Sequence, residues 1–120
     1  MTIHVTLPLK ISSPGNGSHG HWPARAKAKA NQRTVVAWGL RTLAVPTFPL
    51  VVTLTRVGVR DLDDDNLAAA FKSVRDEVAR WAGCGDSPRD PITWRYAQRR
   101  GEPRQYAVEI TVETATSADR

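Results

Sequence analysis

The run "LVVTLTRVGV", Leu50 to Val59, constrains the fold of this 120-residue chain more than any other stretch. Six of its ten residues are Val or Thr, whose branched side chains fit a pleated strand better than a helix. It reads as a central strand, and the other elements must be arranged around it. "TIHVTLPL" alternates Ile3, Val5, Leu7 and Leu9 against Thr2, His4, Thr6 and Pro8, which predicts a strand that Pro8 confines to an edge or ends early. "ITWRYAQRR" and "QYAVEITVET" predict two more strands. The second of these sets Tyr106, Val108, Ile110 and Val112 on one face, and the intervening "GEPR" suggests a final hairpin.

Helical composition occupies the gaps. One helix is expected from Pro23, suited to a first turn, to about Leu43. A second is expected from about Asn66 to Ala82, with Leu67, Phe71, Val74 and Val78 on its core stripe. The order β-α-β-α-β-β predicts an α+β fold: a small mixed sheet of about four strands, covered by two helices, in a single domain. That domain is expected over residues 1–114, with 115–120 as a frayed tail. Its length suffices for one modest core. The four tryptophans, Trp22, Trp38, Trp81 and Trp94, read mostly as core, with Trp22 beside a Gly/Ser-rich loop as a candidate for stacking on a base.

Charge is divided sharply along the chain. Residues 1–60 carry eight bases and no acid, whereas residues 61–120 carry twelve acids and nine bases. A field with that asymmetry suits a polyanionic partner, nucleic acid first, although a merely solvated basic face produces the same composition. Arg25, Lys29 and Arg33, four apart on one helical face and joined by Lys27, can track a phosphate backbone. Arg99, Arg100 and Arg104 around the last turn offer a second strip. There is no P-loop and no GxGxxG, so no nucleotide cofactor is expected. No apolar run approaches the roughly 18 residues that span a bilayer. The N-terminus has no secretory pattern and Cys84 is alone, so the expected location is the cytoplasm, without membrane attachment.

"RDLDDDNLAAAFK" opposes this basic character with four aspartates in five positions. One aspartate suffices to cap a helix, and capping together with the helix dipole is the structural explanation for the group. Several carboxylates converging on one mouth repel, and protons or a cation must relieve that. A hard divalent ion such as Mg²⁺, held by one or two carboxylates and waters, does so at neutral pH. It would bind a scissile phosphate and activate a water. Lys72 falls on the same exposed stripe as Asp65, Ala69 and Asp76, where it can offset charge in the transition state. Asp61, Asp63 and Asp65 have calcium-loop spacing, but Asn66 replaces the required glycine and Lys72 the required glutamate, so this is not an EF-hand. His19, His21 and Cys84 lack a fourth ligand for zinc.

"RDLDDDNLAAAFKSVRDEV", followed by "GCGDSPRDPITW", resembles the core of the RusA-type Holliday-junction resolvases, a family common in phages and prophages. The likeness follows element order over residues 2–113 and motif over about 57–95. It implies a short homodimeric α+β endonuclease that cuts four-way or otherwise branched DNA with Mg²⁺ or Mn²⁺, in a bacterial or phage-infected cytoplasm. Asp63 and Asp65 match the two motif aspartates and Asn66 the asparagine after them. The third acidic ligand is implied in the loop after the helix, at Asp86 or alternatively Asp90. Arg60 belongs to the arginine-bearing lead-in and is grouped with the DNA contacts. The family's lysine stands where this chain has Ala69; Lys72 lies one turn further on. Two other readings remain: a DNA-binding module that does not cleave, its acids a structural cap, and a nuclease for forks or flaps.

Overall fold

The computed structural model describes residues 2–11, 22–59, 61–84 and 91–115, with the side chains of residues 22–26, 28 and 64 outside the described set. Its elements are β1 (Thr2–Leu7), α1 (Trp22–Leu40), β2 (Leu50–Gly58), α2 (Asp64–Ala70), α3 (Lys72–Ala82), β3 (Ile92–Arg100) and β4 (Ala107–Thr114). The four strands form one mixed sheet in the order β1-β4-β2-β3. The α+β architecture and the central place of β2 agree with the sequence reading, and β1 is an edge strand. Of the expected tail, residues 115–120, only Ala115 is described, and its amide donates to the Pro49 carbonyl at 2.8 Å; residues 116–120 lie outside the described residues.

Two features differ from expectation. The last two strands do not form a hairpin: β3 pairs parallel with β2, whereas β4 pairs antiparallel with β2 on its other side and with β1. The connection between them therefore crosses the end of β2, where the Gly101 amide donates to the Gly58 carbonyl at 3.0 Å. Each edge of β2 thereby gains a full partner, which no local hairpin would supply. The second helix is also broken, at Phe71, whose amide is shared between the Leu67 and Ala68 carbonyls at 3.3 and 3.2 Å. Its φ of −87° and ψ of 1° tighten the chain for one residue. No proline or glycine causes the break, so nothing in the local sequence announced it.

Strand alternation sets the layers. In register, Leu50, Val52 and Leu54 of β2 align with Val112 and Ile110 of β4 and with Ile92, Trp94 and Tyr96 of β3. This face meets Val36 and Leu40 of α1 and Leu67, Phe71, Val74 and Val78 of the second helical pair in one buried cluster. The expected core stripe of that pair is buried as read. Both helical layers thus cover one face of the sheet. Gly83, at φ 82°, ends α3 in the left-handed conformation that a side chain would strain. Buried Arg56 donates from Nε to the Ile11 carbonyl at 2.8 Å and ties the segment after β1 to the central strand.

The tryptophans divide. Trp81 and Trp94 pack partly buried against the core, but Trp38 is 66% exposed, with the Arg41 guanidinium 4.4 Å from its ring centroid. Trp38 lies on the side of α1 opposite buried Val36 and Leu40, and a cation over the ring substitutes for burial. Phe71 is fully buried and stacks on Tyr96 of β3 at 6.0 Å between centroids. Phe71→Ala is expected to cost about 3–5 kcal/mol in urea unfolding; a loss below about 1 kcal/mol would show that the break does not anchor the helical pair to the sheet.

Candidate functional site

The turn between β2 and α2 carries the acids. Asp61, Asp63 and Asp65 are all exposed, and Leu62 among them is turned toward the core. Asp63 occupies the N-cap position of α2 in an extended conformation, φ −61° and ψ 155°. Its carbonyl accepts the first helical hydrogen bond from the Leu67 amide at 2.7 Å. Its carboxylate makes no capping hydrogen bond. Among the described residues, none of Asp61, Asp63 and Asp65 has a side-chain hydrogen bond or ion pair. Capping therefore does not account for the acid at the one position where it would act.

Sequence reading missed the residue that holds this turn. Gln98 of β3 accepts from the Leu62 amide through Oε1 at 2.9 Å and donates to the Leu62 carbonyl through Nε2 at 2.7 Å. A side-chain amide satisfying both groups of one peptide position acts like an added rung of the sheet. The only signal in the sequence was a polar residue on the core-facing side of an otherwise apolar strand pattern, beside Arg56 in register.

Lys72 opens α3 on the exposed stripe, seven residues and one helix break beyond Asp65. Its Nζ lies 3.4 Å from Asp76 Oδ2, and the Arg33 guanidinium from α1 reaches the same oxygen at 3.1 Å. Exposed pairs of this kind hold with roughly 0.2–1 kcal/mol, so Lys72 can leave Asp76 at small cost. A groove of about 280 Å³ begins here, lined by Ala68, Ala69, Lys72, Arg75, Asp76 and Tyr96. Arg75 donates to the Tyr96 hydroxyl at 3.0 Å and lies over Trp94 at 4.9 Å.

The remaining candidates are not all gathered together. Asp86, Asp90 and Arg60 lie outside the described residues, as does the side chain of Arg25. Among the described residues, no three His, Cys, Asp or Glu side chains come together as a metal-binding group. Lys27 and Lys29 are exposed on α1, on the helical side of the molecule. Arg99 and Arg100 are consecutive in β3 and so point to opposite faces of the sheet. Arg99 lies on the face without helices, where Nε and an Nη atom donate to the two Glu109 oxygens at 3.1 and 3.2 Å. It therefore does not extend the basic strip of α1.

The chain matches no protein-family model, and no curated protein matches it in sequence. No described helix is long and apolar enough to cross a membrane.

Two outcomes test this geometry. The hydrogen bond from Arg99, together with its charge and that of His4, holds the Glu109 carboxyl below the ordinary glutamate value despite partial burial. A depressed carboxylate contributes stability above its unfolded value, about 4.3, and that contribution is lost as pH falls through the lower folded value. The stability difference between wild type and Glu109→Gln should accordingly shrink as thermal unfolding is followed from about pH 6 to pH 3; a difference that grows on acidification contradicts the pairing. Gln98→Met should accelerate hydrogen exchange at the Leu62 amide by about tenfold or more, one hydrogen bond's worth. Unchanged exchange at Leu62 would remove Gln98 from that role.

Proposed function

We propose that this protein is a metal-dependent endodeoxyribonuclease acting on branched DNA, in the manner of the RusA-type resolvases its motif resembles. The observation that carries the proposal is the acidic turn: exposed carboxylates at Asp63 and Asp65, with Asp61 close by in sequence, and no capping duty for Asp63. Two carboxylates completed by waters suit Mg²⁺, and Mn²⁺ accepts the same oxygen donors. When bound, the ion supplies polarisation of a phosphate oxygen and acidification of a water. Asp63 and Asp65 would hold it, with Asp86 or Asp90 as the third ligand implied by the resemblance.

The chain's own residues do the rest. The Gln98 contact to Leu62 orients the turn that bears the acids. Exposed Lys27 and Lys29, with Arg33, present cations for the DNA backbone on the helical side, and Arg25, Arg60 and Arg100 are further candidates. Lys72 neutralises phosphate charge once it has left Asp76. Two copies related by a twofold axis would bring two such turns to a four-way junction and nick strands of like polarity. Cytoplasmic DNA is the corresponding setting.

A second reading has its own observation: Lys72 is bound to Asp76, and Ala69 occupies the position of the family's lysine. On that reading the protein binds branched DNA without cutting it. Strand cleavage of a synthetic four-way junction, against matched duplex, flap and fork DNA, separates the readings. With Mg²⁺ or Mn²⁺ the junction should receive paired symmetric nicks, absent in EDTA. Asp65→Asn should lower the rate by about 100-fold or more while junction binding persists. Preferential cutting of forks or flaps would move the substrate. Tight binding with no cleavage in either metal would overturn the nuclease and leave the binding module.

A further inference from the structure

The α1 and α3 helices are joined on the outside by one carboxylate. Asp76 accepts from Arg33 on one side and from Lys72 on the other, both at Oδ2. All three groups are accessible: the Arg33 and Lys72 side chains are 52% and 71% exposed, and that of Asp76 is 23% exposed. The groove described above opens at this point. Ala68 and Ala69 of α2 line it together with Lys72, Arg75 and Asp76 of α3 and Tyr96 of β3. Arg75 is kept in place by the Tyr96 hydroxyl and the Trp94 ring, so the lining includes an oriented guanidinium. Two cations therefore share one internal anion beside a cleft that Arg75 also lines and that the small side chains of Ala68 and Ala69 leave open.

The placement connects two regions that were separate in the sequence. Through Asp76 the cleft adjoins Arg33 of α1, with Lys29 exposed one turn before it. Toward its other end, Ala69 and Ala68 lead back along α2 to Asp65. A strand laid along this path would meet cations first and the acidic turn last.

We infer that a phosphodiester of the DNA strand occupies the Ala68–Ala69–Lys72–Arg75 cleft, and that it takes Lys72 and Arg33 over from Asp76. In the free protein Asp76 satisfies the two cations; on binding, phosphate replaces it, because phosphate accepts charge-assisted hydrogen bonds at least as well as a carboxylate and carries its charge into the cleft. Asp76 thus acts as a competing anion that sets affinity and favours ligands able to displace it. The inference rests on the proposed nucleic-acid substrate but requires neither bound metal nor cleavage.

The test is binding of a fluorescein-labelled four-way junction in EDTA over a salt series, with thermal unfolding and circular dichroism on every variant. Asp76→Asn should bind tighter by up to about fivefold, the equivalent of breaking an exposed ion pair. Lys72→Gln should lower the slope of log affinity against log salt by about 0.9, one phosphate's share. Ala69→Leu, on an exposed helical position, should fill the cleft and lower the slope similarly while the fold persists. Wild-type affinity and slope in Ala69→Leu would overturn the inference and leave the DNA-binding proposal standing. An Asp76→Asn gain that persists undiminished in the Lys72→Gln and Ala69→Leu backgrounds would also overturn it, showing only a general change of charge. Absence of DNA binding by the wild type would overturn both.

Discussion

Everything in this molecule depends on β2 being paired along both edges. Its apolar residues fill one side of the sheet under the helices, and Val51 and Val57 are buried on the other. A strand of this kind cannot leave a row of backbone donors and acceptors open to an apolar surrounding. The chain meets that requirement by bringing β3 in parallel through the broken helix and β4 in antiparallel from beyond β3. The price is a connection that passes over the end of the central strand. The parallel pairing of β3 sets Gln98 opposite Arg56 and so brings it to the start of the acidic turn.

The exposure of the acidic turn follows from this arrangement. Chain leaving β2 must rise from the sheet to the helical layer, and Leu62 turns inward to join the core while its neighbours stay in water. Alternation across an extended segment then leaves Asp61 and Asp63 outside. The backbone carbonyl of Asp63, not its carboxylate, begins the helix. A carboxylate spared from capping and held on a turn fastened at both peptide groups of Leu62 is available for a ligand. That availability is the physical basis of the proposed function.

Electrostatics changed most between the linear chain and the folded one. The basic first half and acidic second half are not two separated poles. Arg33 from the first meets Asp76 from the second across the α1–α3 contact, and Arg99 and Glu109 meet across β2 on the other face. Both pairs are exposed enough for water and salt to weaken them. The surface cations are thus a set of loosely held partners, some facing the helical side and some the open sheet.

The strands, the class of fold, the core stripe of the second helix and the exposure of Asp63, Asp65 and Lys72 were legible in the linear chain. These follow from local periodicity, which each segment carries whatever its neighbours do. It also carried the resemblance, in a short motif whose residues are adjacent in the chain. Folding in three dimensions was needed to place β3 and β4 on opposite sides of β2, to break the helix at Phe71 against Tyr96, and to leave Trp38 in water. The folded chain alone shows Gln98 holding Leu62, Asp76 holding Lys72 and Arg33, and Glu109 claiming Arg99. Each of these depends on residues far apart in sequence competing for the same surface or the same charge, and no single segment contains the information that settles such a competition.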